Sequence, residues 1–188
     1  MKEIRTCGIR FEERSADNST NFIIEGKPIV FDSETTINDT FGQYKEIIER
    51  GALNDCDLSD SRLLYNHDSN RLPLARTPKT MQFQIMSDGL HMRAELPNTE
   101  EGRSVHEAIK RGDLTGMSFA FKVPKGGDTY DEATNTRTIH KIEKVYEVSI
   151  VPFPAYSQTS VEARKMMEPR EIAKKQALIK CNIILSKI

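Results

Sequence analysis

The sequence predicts a mixed α+β domain in which most strands are antiparallel and a few helices flank them. Residues 80–96 hold two alternating apolar and polar runs around a Ser-Asp-Gly turn, which is typical of a β-hairpin. Residues 99–112 carry both the start and the stop signals of an amphipathic helix. A later apolar run ends at Pro152, because proline cannot continue a strand ladder.

The first third of the chain predicts short strands separated by turns. Strands are expected near residues 4–11 and 21–24, and the Glu-Gly-Lys-Pro segment at 25–28 indicates a hairpin turn before a strand at 29–31. Polar residues 32–40 predict a loop. Residues 41–46 predict a short strand, and residues 47–53 a short helical turn.

The remaining elements bracket one helix. Residues 61–65 predict a buried strand. Thr99 is suited to the N-cap of the helix, and Gly112 to its left-handed C-terminal stop, which aims the chain into a strand that contains Ser118. Residues 125–136 predict an exposed loop, and residues 137–151 one long final strand.

Length and charge limit the classes of function. A chain of 188 residues accommodates one domain plus a tail, and a net charge of −1 favours neither nucleic-acid nor membrane binding. No apolar run approaches a membrane span, and the N-terminus lacks a signal-peptide pattern, so we expect synthesis in the cytosol. Three widely spaced cysteines without a CxxC pair indicate neither a zinc site nor a disulfide framework, and we expect no cofactor and no metal.

A change in composition near residue 160 divides the chain. We expect a folded domain over residues 1–160 and a basic tail or helix over residues 161–188, part of it without order. The tail holds seven Lys or Arg against three Glu, a net of +4 that leaves −5 for the rest of the chain. From Pro169 onward its apolar residues predict an amphipathic helix, and the pattern leaves open a docking role or a solvated face.

Three apolar segments supply the residue types of a serine hydrolase. Ser118 follows the helix, His67 ends the strand at 61–65, and Glu147 lies among apolar residues of the final strand. A serine hydroxyl needs a base, and the base needs an acceptor that fixes its tautomer. Ser149 shares a strand face with Glu147 by period two, so it is a candidate to support that carboxylate.

Each of these residues also has a purely structural interpretation, in which the serine packs, the histidine caps and the glutamate faces solvent. The residues around Ser118 do not form Gly-x-Ser-x-Gly, so a nucleophile elbow is disfavoured. A metal nuclease built on Asn-His-Asp at 66–68 would rest on too short a motif. A cysteine hydrolase is weaker still, because Cys56 lies in an acidic loop that disfavours its thiolate.

Five blocks in order resemble the prohead, or capsid-maturation, serine proteases of tailed bacteriophages, which are related in fold to the herpesvirus assemblins. The resemblance covers about residues 20–157. Its blocks are Leu-Tyr-Asn-His-Asp at 64–68, Pro-Leu-Ala-Arg-Thr at 73–77, Ser-Asp-Gly-Leu at 87–90, residues 109–119 up to Met-Ser-Phe, and residues 147–156 from Glu-Val-Ser to Pro-Ala-Tyr. Where the family often has glycine after the Ser-Phe pair, this chain has Ala120, which keeps the site small.

The resemblance implies a barrel-like, herpesvirus-protease-like core of about six to seven strands. It also implies a Ser118 nucleophile, a His67 base and an acidic third member at Glu147. The sequence does not assign the oxyanion donors, for which Arg76 and the turn at 112–116 are guesses. The implied substrates are capsid or scaffold protein segments, and the enzyme's own chain, inside the assembling prohead in the host cytoplasm. A homo-oligomer is a further expectation. The alternative is a catalytically inactive capsid-assembly module of the same fold.

Overall fold

The computed structural model describes residues 3–8, 22–39 and 42–152. The proposed basic tail at 161–188 lies outside these described residues. Within them, strands dominate and one helix follows the eighth strand. In chain order the elements are β1 (Glu3–Gly8), β2 (Phe22–Val30), β3 (Thr35–Asp39), β4 (Gly42–Ile48), β5 (Arg62–Tyr65), β6 (Ala75–Arg76), β7 (Met81–Met86), β8 (Gly89–Leu96), α1 (Glu100–Arg111), β9 (Gly116–Lys122), β10 (Asp128–Asp131), β11 (Thr136–Ile139) and β12 (Lys144–Val151).

The described strands form three sheets. Their orders are β1-β9-β12-β5-β6, β10-β11-β4-β3 and β2-β8-β7. Most neighbours are antiparallel, whereas β5 with β12 and β4 with β11 are parallel. The mixed, mainly antiparallel class is confirmed. A single barrel of six to seven strands is not, because none of the three sheets closes on itself within the described ranges.

Local sequence signals located the hairpin and the helix correctly. Strands β7 and β8 pair in register around the predicted turn. Gly89 has a φ of 155°, and a Cβ atom there would lie 2.0 Å from the carbonyl oxygen of Ile29, so only glycine fits. The Thr99 hydroxyl accepts from the amide of Gly102, and Gly112 ends α1 with a φ of 79°. Among the described residues, no helix has both the length and the apolar character needed to cross a membrane.

Five local predictions were wrong. Residues 25–28 do not turn, because β2 runs through them and absorbs the disturbance as a register shift against β8. Residues 35–39 form strand β3, and residues 128–131 form β10 inside the expected loop. The expected long strand at 137–151 is broken into β11 and β12, which belong to different sheets. Strands β3 and β10 are the outer strands of hairpins with β4 and β11, and the parallel pairing of β4 with β11 joins the two hairpins into one sheet. Residues 47 and 48 extend β4 rather than begin a helix.

The five-stranded sheet has one apolar face and one face of small and polar residues. Met117, Phe119 and Phe121 of β9 join Val148 and Ile150 of β12 in the main core, each without exposed surface. Because side chains alternate along a strand, the intervening residues share the opposite face. They are Ser118, Ala120, Glu147 and Ser149, all of them buried. This polar face carries the candidate site.

A buried ion cluster connects β1 to β4 and β11. Arg5 contacts Glu46 Oε2 at 2.5 Å and Glu3 Oε2 at 2.9 Å through its Nη2, while Arg137 contacts Glu46 Oε2 at 3.0 Å and Glu3 Oε1 at 2.8 Å. All four residues are at most 7% exposed. Burial opposes the charge of Arg5, but the carboxylate of Glu46 outweighs it and raises the pKa of the guanidinium above its ordinary value. The cluster is therefore charged and internally balanced.

Removal of one anion from this cluster should be costly. We expect Glu46→Gln to lower the free energy of unfolding by about 3 to 5 kcal/mol, because buried guanidinium groups lose a counter-charge. Glu34→Gln is the control, since Glu34 pairs with Lys45 at 3.0 Å where both side chains are about half exposed. That change should cost at most about 1 kcal/mol in urea unfolding. Equal losses in the two variants would contradict the role given to the cluster.

Candidate active site

Three neighbouring strands assemble the candidate site. Strand β12 lies between β9 and β5, and Ser149 is in register with Ser118 on one side and with Leu64 on the other. Glu147 is in register with Ala120 of β9 and with Arg62 of β5, so on the β9 side only a methyl group lies beside the carboxylate. Residues opposite one another in a sheet share a face. Register alone thus puts Ser118, Ser149 and Glu147 on the same surface.

His67 lies in a tight turn directly after β5. Asn66 and His67 have φ values of 52° and 60°, and the amide of Asp68 donates to the carbonyl oxygen of Tyr65 at 3.1 Å. Two successive positive φ values with this hydrogen bond define a type I′ turn. The amide of Asn66 also donates to the carbonyl oxygen of Ile150 at 2.9 Å, which ties the turn to β12. Asn and His tolerate the left-handed region better than most residues, and such conformations occur at functional sites.

The ring of His67 is held by the carboxylate of Glu147. The distance from His67 Nδ1 to Glu147 Oε1 is 2.7 Å, and the Ser149 hydroxyl donates to Glu147 Oε2 at 2.5 Å. An ionised carboxylate only accepts hydrogen bonds, so in a pair of ionised glutamate and neutral histidine the hydrogen lies on Nδ1 and Nε2 is left as an acceptor. The Glu147 side chain is 4% exposed and that of His67 is 25% exposed. The pair therefore consists of a buried acceptor and a ring that solvent can reach.

Ser149 contacts both partners of this pair. Besides donating to Glu147, its oxygen accepts from the backbone amide of His67 at 3.3 Å. One hydroxyl thus connects the carboxylate to the turn that carries the imidazole. The prediction that Ser149 could support Glu147 agrees with these distances, and the contact with the His67 amide is additional.

The hydroxyl of Ser118 donates to the carbonyl oxygen of Arg5 at 2.7 Å. Arg5 lies on β1, which pairs with β9 on the side away from β12. The structure therefore joins His67, Glu147 and Ser149 by direct hydrogen bonds, and it places Ser118 beside them through the strand register. Sequence reasoning missed the Arg5 contact, since nothing in the sequence indicates which strand flanks β9. It also missed the type I′ turn, although Asn66 and Asp68 on either side of His67 were an available turn signal.

The remaining candidates are the guessed oxyanion donors, a metal site and the cysteine nucleophile. Arg76 is exposed, and its Nε donates to Asp60 Oδ1 at 2.6 Å. Gly112 serves as the C-terminal cap of α1. In the described part of the chain, no group of three or more His, Cys, Asp or Glu residues could hold a metal ion. Burial raises the pKa of the Cys56 thiol to about 11, which disfavours the thiolate that a cysteine nucleophile needs.

Comparison with known proteins adds the family to this geometry. Residues 9–172 match the family model of the caudovirus prohead serine protease. The chain belongs to this family. It is also similar to the prohead protease of Enterobacteria phage HK97, with 24% identity over 156 residues that cover 81% of this chain and 67% of that protein. No solved structure gives a significant match.

Family membership confirms the resemblance drawn from the five sequence blocks and makes the chain a serine protease of phage prohead maturation. Of the four residues singled out for the site, two come from β12, one from β9 and one from the turn after β5. The matched region contains all of them. Their individual roles are a matter for proposal.

The turn at Asn66 should respond selectively to substitution. We expect Asn66→Gly to leave stability nearly unchanged and Asn66→Val to lower it by about 1 to 2 kcal/mol, because a β-branched residue at positive φ is strained. Both variants remove the side-chain amide of Asn66, so the difference between their stabilities isolates the effect of the backbone conformation. Urea unfolding measures the change, and two equally destabilised variants would contradict the turn assignment.

Cys56 should behave as a thiol of raised pKa. We expect the rate of alkylation of Cys56 by iodoacetamide to rise about tenfold per pH unit from pH 8 to pH 10, because the thiolate fraction is still rising below a pKa of about 11. Mass spectrometry of the peptide that contains Cys56 measures the rate. The same peptide in denaturant is the control, and its rate should level off near the ordinary value of 9.0. A native rate that levels off at pH 9 would contradict the effect of burial.

Proposed function

We propose that this chain is a serine endopeptidase in which Ser118 is the nucleophile, His67 the general base and Glu147 the group that orients the base. The observation that carries the proposal is the 2.7 Å hydrogen bond between His67 Nδ1 and Glu147 Oε1, made beside the strand that holds Ser118. Serine, histidine and carboxylate in this relation are the parts of an acyl-transfer site. Membership of a serine protease family supports the same chemistry.

The proposed reaction uses the tautomer that Glu147 imposes. His67 Nε2 takes the proton of Ser118 as the hydroxyl oxygen attacks a peptide carbonyl, and the resulting imidazolium is stabilised by the buried carboxylate. The imidazolium then protonates the leaving amine. Water hydrolyses the acyl-enzyme by the same route, with His67 again acting as the base.

Ser118 must change its hydrogen bond to begin this reaction. Its hydroxyl now donates to the Arg5 carbonyl, and we infer that substrate binding turns it toward Nε2 of His67 by rotation about χ1. Catalytic hydrogen bonds are often long or misaligned without substrate and tighten in the complex. The Arg5 contact therefore defines the resting orientation of the nucleophile in this proposal.

The proposed substrates are segments of the phage capsid or scaffold protein, cleaved inside the assembling prohead in the host cytoplasm. Support comes from the family description and from the name of the HK97 relative. Cleavage of the enzyme's own chain, a homo-oligomeric state and the division into a protease domain (1–160) and a tail (161–188) stay predictions. We also propose that the core is related to that of herpesvirus assemblins, which superposition on an assemblin would test.

The alternative is an inactive capsid-assembly module of the same fold. A fluorophosphonate probe separates the two, because it forms a covalent bond only with an activated serine. We expect the probe to label Ser118 and not Ser149. Ser149 is a matched internal control, because both serines are buried and lie opposite each other on β9 and β12. Absence of labelling in protein that cleaves its substrate would refute the serine mechanism, and absence of both would favour the inactive module.

Substitution of Ser118 should abolish cleavage without unfolding the protein. The matched control is Ser61→Ala, because Ser61 is equally buried and donates to the main-chain carbonyl of Val145 at the same 2.7 Å. Each variant loses a hydrogen bond from a buried hydroxyl to a main-chain carbonyl, but only Ser118→Ala loses the proposed nucleophile. We expect kcat to fall by at least about 1,000-fold in Ser118→Ala and less than about tenfold in Ser61→Ala. Similar rates in the two variants would sink the assignment.

Ser149 should act through Glu147 and His67. A hydrogen bond to a charged group is worth about 1.5 to 3 kcal/mol, so Ser149→Ala should lower kcat by about 10- to 100-fold with KM nearly unchanged. Ser149→Thr retains a hydroxyl and should recover part of that loss. Steady-state kinetics on a peptide substrate provide the measurement. A wild-type kcat in Ser149→Ala would show that the carboxylate is held without this hydroxyl.

A further inference from the structure

A large apolar groove lies between α1 and the loop that follows His67. It has a volume of about 1020 Å³, and its apolar lining includes Tyr65, Leu72, Leu74, Val105 and Leu114. Leu72 is 84% exposed, whereas Leu74, Val105 and Leu114 in the same groove are buried. An apolar groove with an exposed leucine at its edge is a candidate interaction site.

The rim of the groove is acidic. Glu100 and Glu101 line it at the start of α1, and Asp68 lies nearby. Arg71 is the cation among them and is shared between Glu101 at 3.0 Å and Asp68 at 3.6 Å. Three carboxylates with one guanidinium leave a local excess of negative charge. A basic amphipathic segment would complement both the rim and the apolar floor.

The described chain ends beside this groove. In β12, Ile150 is in register with Tyr65, a lining residue, and Val151 with Gly116, two residues after the lining residue Leu114. The 36 residues from 153 to 188 follow directly, and they carry seven Lys or Arg against three Glu. At 1.5 Å per residue even in a helix, this length spans the groove with residues to spare. A tethered segment also meets the groove at an effective concentration near the millimolar range.

We propose that the C-terminal segment of residues 170–188 binds in this groove of its own chain. Ile172, Ile179 and Ile183 recur at helical spacing and would form the face that packs on Leu72, Leu74 and Val105. Lys175 and Lys180 flank that face on the predicted helix and complement the acidic rim. Because Tyr65 precedes the turn with His67, the bound segment lies against the loop that carries the base. Neither the catalytic proposal nor the family match requires this contact.

Hydrogen exchange in the full-length Ser118→Ala protein tests the contact without interference from proteolysis. The test variant is Ile179→Asp. Its matched control is Ala177→Asp, which makes the same change of charge on the opposite side of the predicted helix. We expect the amides of residues 101–111 and 71–74 to exchange at least about fivefold faster in Ile179→Asp and at the parental rate in Ala177→Asp. Strands β7 and β8 serve as an internal reference for the fold.

Equal exchange in both variants, or no change in either, would overturn the proposal. If exchange in the β7–β8 reference itself changes, photo-crosslinking from benzoylphenylalanine at position 179 replaces hydrogen exchange as the test.

We expect intramolecular crosslinks to peptides of the groove, in a yield that does not depend on protein concentration. The yield should fall at least about fivefold when Leu72→Asp is added. Intermolecular products would indicate a second copy as the occupant, and products elsewhere would indicate another site; both would refute binding in cis. These readouts do not measure catalysis, so their failure would leave the proposed mechanism intact.

Discussion

The pairing of β12 between β9 and β5 is the constraint on which the candidate site depends. Its antiparallel register with β9 sets Ser149 opposite Ser118, and its parallel register with β5 sets the turn of His67 at the same level. A shift of one residue in β12 would turn Glu147 and Ser149 into the apolar core and bring Val148 to the polar face. The buried residues of that core oppose such a shift, so hydrophobic packing on one face fixes the chemistry of the other.

Arg5 connects this site to the second sheet. Its guanidinium is buried against Glu46 and Glu3, while its carbonyl oxygen accepts the hydroxyl of Ser118. A buried ion pair is costly to break because each charge would remain in a medium of low dielectric. The position of β1, and with it the resting orientation of Ser118, is therefore coupled to the charge cluster that joins β1, β4 and β11.

Sequence reasoning succeeded where a structural signal is local. The helix cap at Thr99, its stop at Gly112 and the hairpin at 81–96 depend on residues within a few positions of one another. It failed where long-range pairing decided the outcome. Residues 35–39 and 128–131 are polar but form the outer strands of two hairpins, β3 with β4 and β10 with β11, and the long-range parallel pairing of β4 with β11 joins these hairpins into one sheet. The long apolar run at 137–151 was divided for the same reason, since its two halves pair in different sheets.

The sequence by itself determined the residue types of the site, the family and the mainly antiparallel α+β class. Its ordered blocks indicated Ser118, His67 and Glu147 as candidate site residues, and the strand period indicated Ser149. Only the tertiary structure decided which hydrogen bonds these residues make. His67 Nδ1 is bonded to the Glu147 carboxylate, the Ser149 hydroxyl contacts both Glu147 and the backbone amide of His67, and the Ser118 hydroxyl donates to the carbonyl oxygen of Arg5. Ser149 and Glu147 are two residues apart on β12, whereas the other three contacts join positions 80 to 113 residues apart. Strand register and backbone turns, rather than local pattern, bring such distant positions together.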